Sequence, residues 1–276
     1  MLTDYHLHLR PDDQAATFEL FMTTANVDRY RAAADKAGIA ELGVSEHIHR
    51  FRQALAIWDH PMWVGNATDD LDAYVDFVRH QTDLRLGIEM DYLAGREQEI
   101  GATLDQYNWD YVVGSVHFLG DGALDYDVFD IWALVSDAED VWQRYFDAVA
   151  ASARTGLYDI IAHPDLVKYW GDKRPRPAGD LRRFYEPVVA AFVEADVAVE
   201  LSTAGLRKPV AEVYPAPEFL AMCVEAKVPV ALSSDAHIPE DIGFAYGDAV
   251  SMLRSHGVEE IAVFENRKRR LEPLPA

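Results

Sequence analysis

Short apolar runs ending in polar residues alternate along the chain with segments in which apolar residues recur at helical spacing. The runs 2–5, 42–45, 85–89, 111–115, 159–162, 197–201 and 228–233 predict strands. Residues 27–37, 69–80, 137–155, 180–194 and 218–226 predict amphipathic helices. Asp69 before Leu71 and Asp180 before Leu181 are candidate helix N-caps, and Gly38 and Gly156 are candidate stops. Such βαβα alternation predicts a parallel sheet covered by helices. A doubly wound sheet gathers its site at one switch point, whereas a barrel gathers it from the carboxyl ends of many strands. Polar candidates follow all seven runs, so an α/β barrel, closed or nearly closed, is the expectation. Residues 261–264 are a candidate eighth strand or an ordinary C-terminal segment. The aromatic, acidic stretches 51–68 and 119–137 read as loops over the barrel mouth.

The residues that end the runs sharpen this picture. His6 and His8 stand at i, i+2, so on a short strand their rings point to one side and can grip one metal ion. Asp235 and His237 repeat that geometry with mixed donors. Ser45-Glu46-His47, Gly87-Ile88-Glu89, Ser115-Val116-His117 and Ala162-His163-Pro164 each follow an apolar run. Glu89 would be costly to bury unpaired. A carboxylate bridging two cations accounts for it, and a salt bridge to Arg85 or Arg96 is the plainer alternative. Glu46 and His47 diverge if the strand persists, with His47 preferred as the ligand and Glu46 as its support. Asp235 has an Asx-turn or helix cap as its bland alternative. His49, His60, His80 and His256 read as structural or solvent-exposed.

Composition limits the chemistry. With 276 residues, half of them hydrophobic, the chain can bury a large core, and we expect one domain spanning 1–276. The single cysteine, Cys223, excludes an internal disulfide and a thiolate zinc site. A metal must then be held by imidazole and carboxylate, which suits zinc, manganese or iron. The net charge of −22 argues against nucleic-acid and anionic-membrane partners. The lone basic cluster, Arg267 to Arg270, reads as a solvated helix end. No signal-like or membrane-length apolar segment is evident, so a soluble, cytoplasmic protein is expected.

The order Asp-Tyr-His-x-His, Ser-Glu-His, strand-end Glu, Gly-Ser-x-His, His-Pro, Asp-x-His resembles the PHP (polymerase and histidinol phosphatase) superfamily over essentially the whole chain. The stretches 163–168 (His-Pro-Asp-Leu-Val-Lys) and 200–209 (Glu-Leu-Ser-Thr-Ala-Gly-Leu-Arg-Lys-Pro), with Tyr214-Pro215 beyond, resemble its histidinol-phosphate phosphatase branch. The resemblance implies a distorted seven-stranded, TIM-like (β/α)7 barrel with a metal centre of two or three divalent ions at the strand C-termini. By the same resemblance, His6, His8, Glu89 and Asp235 hold one ion. Glu89, His117 and His163 hold the second, and His47 and His237 the third. Many relatives carry a further histidine after the first motif, where this chain reads Arg10-Pro11-Asp12-Asp13, so either Asp12 or Asp13 substitutes or the third site is weak or empty.

The implied activity is hydrolysis of L-histidinol phosphate to L-histidinol and phosphate, a step of histidine biosynthesis. Two cations about 3.5–4 Å apart lower the pKa of a bridging water, and that hydroxide is the expected nucleophile. Glu89 would bridge the ions, and Asp235 or a nearby histidine such as His237 would protonate the leaving alkoxide. Arg207, Lys168 and Arg52 are candidate phosphate partners. Trp58, Trp63 and the acidic stretch from Asp125 to Asp130 are candidates for a cationic, ring-bearing substrate end. Two alternatives remain: a phosphatase of another small phosphomonoester, and a nuclease, which the absence of a basic stripe disfavours. Oligomeric state is beyond the sequence.

Overall fold

The computed structural model describes residues 1–13 and 15–275. All seven apolar runs form strands. In chain order the strands are β1 (Thr3–Asp4), β2 (Glu41–Val44), β3 (Arg85–Asp91), β4 (Tyr111–Ser115), β5 (Phe118–Leu119), β6 (Gly122–Ala123), β7 (Ile160–Ile161), β8 (Ala198–Ser202), β9 (Val230–Ser233), β10 (Glu260–Glu265) and β11 (Lys268–Pro273). Seven of them make one sheet in the order β1-β2-β3-β4-β7-β8-β9, and every pairing is parallel. Its edges meet through the bridge between Leu7 and Ala236, where the His8 amide donates to the Ala236 carbonyl at 2.7 Å. The result is a nearly closed barrel jacketed by helices. Those expected lie at Thr24–Ala37, Leu71–Gln81, Ala138–Arg154, Arg182–Ala195 and Pro217–Glu225, and Glu97–Leu104 and Tyr246–Ser255 add to them.

Strand alternation sorts the side chains. Leu86, Ile88 and Met90 of β3 pack outward into the large core shared with the helices, while Gly87, Glu89 and Asp91 share the opposite face. Lower in the barrel, Tyr5, Tyr111, Val113, Ile160, Ala198 and Ala231 form a second apolar cluster, completed by Ala262, Val263 and Phe264. Residues 261–264 are therefore not an eighth barrel strand. They lie in β10, which pairs antiparallel with β11; Ala262, Val263 and Phe264 pack into that second cluster and Ile261 into the large core. The basic cluster is likewise no helix end. It opens β11, where Arg267 pairs with Asp159 and Arg269 with Asp196 at 2.6 Å.

Helix boundaries moved for identifiable reasons. Asp70 rather than Asp69 caps the helix Leu71–Gln81, accepting from the amides of Asp72 and Ala73, because Asp69 is taken by Arg10 at 2.8 Å. Asp180 does bond the Arg182 amide. Gly38 ends its helix in the left-handed conformation, at φ 70°.

The buried Tyr111 ring lies against Gly43 and Gly87, and a Cβ at Gly87 would sit 2.3 Å from it. Gly87→Ala should thus cost about 1–3 kcal/mol by overpacking. Gly247→Ala, in an open position of the helix Tyr246–Ser255, should be neutral or slightly stabilising. Calorimetric melting of both variants, with Tyr111→Leu as a suppressor of the first, checks this packing.

Candidate metal centre

The carboxyl ends of the strands converge on Glu89. It is 1% exposed, and burial alone would raise its pKa. Five imidazoles surround it. His6 Nε2, His117 Nε2 and His163 Nε2 lie 3.4, 3.4 and 3.2 Å from Oε1, while His8 Nε2 is 3.8 Å from Oε2 and His47 Nδ1 touches Oε2. The fields of His47, His6 and His117 and the hydrogen bond from His163 outweigh burial and hold the carboxyl well below its ordinary range. The alternative salt bridge does not form: Arg85 pairs with Glu41 and Glu265, and Arg96 with Glu99.

Asp235 completes the first group. Its Oδ1 is 3.7 Å from His6 Nε2 and 3.5 Å from His8 Nε2. Asp235 and His163 both have positive φ, 48° and 25°. For a non-glycine residue this is uncommon backbone, which the surroundings must hold in place.

On the far side of His8, His47 Nε2 and His237 Nε2 stand 3.4 Å apart. Asp12 Oδ2 lies 3.0 Å from His237, and its Oδ1 3.9 Å from His47. Asp12, not Asp13, therefore occupies this corner; Asp13 bonds the Ala15 amide.

The outward nitrogens of the imidazoles meet a second ring of carboxylates that the sequence reading passed over. His6 Nδ1–H donates to Glu200 at 2.7 Å, and His117 Nδ1–H donates to Asp91 at 2.7 Å. A carboxylate only accepts, so when either ring is neutral its Nε2 lone pair faces the centre. Glu200 also accepts the His163 amide and the Ser233 hydroxyl, both at 2.6 Å, fixing the backbone of the strained His163. Glu46 turns away from His47. It takes Arg50 and the Leu9 amide, and lies 3.7 Å from His8 Nδ1.

Do these donors suit a metal? His6 Nε2, both ring nitrogens of His8 and Glu89 Oε2 are buried without a hydrogen-bond partner among the described residues. Such atoms are costly to leave unpaired. Three interlocking triads lie within ligand reach: His6–His8–Asp235, His6–Glu89–His163 and His8–His47–His237. Their nitrogen and oxygen donors fit two or three zinc, manganese or iron ions, and Cys223 is buried elsewhere.

A cavity of about 270 Å³ opens above the centre. Its walls include His49, stacked on His47 at 4.7 Å, which the sequence reading had set aside as structural. They also include Phe118, Tyr126, Tyr169, Tyr214, Asp125 and Lys208.

The three cations singled out in the sequence lie elsewhere. Lys168 is buried between Asp165 and Glu212. Arg52 pairs with Asp70 on the surface. Arg207 donates to the Ser234 and Asp235 carbonyls at 2.8 and 3.1 Å, so it braces the ligand loop from behind. The cations on the cavity wall are Arg10, Arg50 and Lys208. Trp63 is fully buried, and Trp58 stacks on His60, so neither faces the cavity.

The PHP domain model matches residues 6–204. A probable histidinol-phosphatase of Deinococcus radiodurans is 33% identical over 273 residues, 99% of each chain. The histidinol-phosphatase of Bacillus subtilis is 32% identical over 183 residues, 61% of this chain and 68% of that one. The same fold is found in the histidinol phosphate phosphatase of Lactococcus lactis, solved with zinc, L-histidinol and phosphate. It superposes with a TM-score of 0.74 at 20% identity over 98% of both chains.

Two predictions test the support of the centre. Glu200→Gln should weaken divalent-metal affinity by about 10–100-fold, read by competition with a chromophoric chelator. Without metal, burial pushes the His117 imidazole down, but Asp91 and Glu89 outweigh it and raise its pKa to about 10. His6 is raised likewise by Glu200, Glu89 and Asp235. Metal must displace these protons, so apparent affinity should climb from pH 6 to pH 9. Titration calorimetry in buffers of different ionisation enthalpy measures the released protons.

Proposed function

This chain belongs to the PHP domain family, and we propose that it is a metal-dependent phosphomonoesterase that hydrolyses L-histidinol phosphate to L-histidinol and phosphate. The observation that carries the reading is Glu89: a fully buried carboxylate ringed by five imidazoles at the floor of a small cavity. The substrate is supported by full-length similarity to the Deinococcus protein and by the L-histidinol and phosphate bound in the Lactococcus neighbour. The acidic surface and a cavity of small-molecule size favour a monoester over a nucleic acid. Among the described residues no helix is long and apolar enough to cross a membrane, and we place the enzyme in the cytoplasm.

When bound, divalent ions supply Lewis acidity toward water and phosphoryl oxygens. The protein residues do the rest. His6, His8, Glu89 and Asp235 would hold one ion; Glu89, His117 and His163 a second; and His47, His237 and Asp12 a third. Glu89 would be shared by the first two, since its Oε1 faces His6, His117 and His163 and its Oε2 faces His8. Lys208 projects from the wall to pair with a phosphate oxygen. Asp235 and His237, at the rim, are placed to return a proton to the leaving alkoxide. Phe118, Tyr126 and Tyr169 offer apolar faces to an imidazole ring and exclude water around it.

Phosphate release from L-histidinol phosphate, beside a panel of monoesters and a nucleotide diester, tests the reading with protein reloaded after chelation. We expect strong preference for histidinol phosphate; activity confined to the diester would sink the proposal. Glu89→Ala should lower kcat at least 1000-fold and reduce bound metal. Lys208→Ala should raise KM about tenfold or more while the metal content holds.

A further inference from the structure

The cavity wall carries five carboxylates: Asp12, Asp13, Glu89, Asp125 and Asp235. Four are engaged. Glu89 and Asp235 face the imidazoles, Asp12 is bound to His237 and Arg50, and Asp13 caps the turn at Ala15. Asp125 is left without an ion pair or hydrogen bond to another described side chain, yet its place is built. The preceding residue, Leu124, is fully buried. Its amide donates to the His117 carbonyl at 2.9 Å, and its own carbonyl accepts the Trp170 indole N–H at 2.8 Å. The small β5–β6 hairpin thus curls back so that the residue after Leu124 stands beside the ligand His117. A carboxylate held there by backbone bonds loses little entropy on meeting a ligand.

Resting on the phosphomonoesterase reading above, we propose that Asp125 is the specificity-determining residue that selects phosphate esters bearing an ammonium group next to the ester carbon. A partner charge shares the cavity. Lys208 lines the same walls as Asp125, and no contact of ion-pair length joins the two. A ligand carrying a phosphate and an ammonium at neighbouring carbons is the electrostatic complement of this pair: phosphate to Lys208, ammonium to Asp125.

The length of the ligand decides between its cationic groups. In histidinol phosphate the amine is two carbons from the ester oxygen, and the ring is carried one carbon farther out. A carboxylate at the edge of the metal centre therefore meets the amine. The ring is left to the aromatic wall nearer the mouth, where Tyr126 is 44% exposed.

The test compares kcat/KM for L-histidinol phosphate with two analogues, one lacking the amine and one lacking the imidazole, on metal-loaded wild type and Asp125→Asn. Wild type should prefer the amine-bearing ester over its amine-free analogue by about 30-fold, the worth of a charge-assisted hydrogen bond. In the variant that ratio should fall to near unity, chiefly through KM, with the metal content unchanged. Asp125→Ala should give the same ratio, and melting temperatures show whether both variants are folded. An unchanged ratio overturns the proposal, as does loss of bound metal, which would make Asp125 part of the centre. A ratio that instead tracks the imidazole overturns it too. If wild type ignores histidinol phosphate but cleaves other monoesters, the substrate reading fails alone. The comparison of 2-aminopropyl with propyl phosphate then still decides the role of Asp125.

Discussion

Burying Glu89 is the constraint around which the molecule is arranged. An ionised carboxylate removed from water without compensation is prohibitively costly, and in most proteins it would take up a proton or be replaced. Here it stays ionised, because imidazoles from the ends of β1, β4 and β7 and from the loop after β2 crowd around it. Those imidazoles in turn must not all be protonated, or they would repel one another at stacking distances such as the 4.0 Å between His8 and His47. A cluster of this composition is poised for cations that replace the shared protons. Metal binding and the packing of the barrel top are therefore one energetic problem.

The second ring of carboxylates resolves the orientation of that cluster. Glu200 ties β1, β8 and β9 to the residue that ends β7 through His6, Ser233 and the His163 amide. Asp91 does the same for His117 from β3. Both sit two residues along from other inward positions of their strands, so the alternation that aims Glu89 inward aims Asp91 the same way. One geometric rule thus supplies both the central carboxylate and the group that orients a neighbouring imidazole.

That rule explains what could be read in advance. The strands, their parallel order and the histidines that gather around Glu89 were legible because each histidine follows an apolar run at its carboxyl end. Asp91 and Glu200 carried the same signal, a carboxylate on the inward register of a buried strand, but neither was weighed for it. The cavity cations were not legible. Arg207 and Lys208 are adjacent in sequence, and only the turn of the loop decides that one backs the Ser234–Asp235 carbonyls while the other lines the cavity. Trp58 and Trp63 failed for a similar reason, since an aromatic in a mouth loop can as well face the core beneath it. The hairpin at residues 260–273 was half legible: its apolar run was seen, but nothing local distinguishes a barrel strand from one that packs against the lower barrel cluster.

The corner holding Asp12 shows how one charge propagates. A neutral histidine there would face His47 and His237 as a third imidazole. Asp12 instead brings a negative charge, and Arg50 answers it at 2.5 Å while also bonding Glu46 behind His8. Arg50 thereby joins the corner to the first ligand group through Glu46. A cation entering between His47 and His237 competes with this guanidinium for the same carboxylate. Glu89 meets no such guanidinium, since the groups nearest it are imidazoles. An aspartate at this corner thus makes it more favourable to a cation in charge and less free in geometry, and Arg50 sets the balance between them.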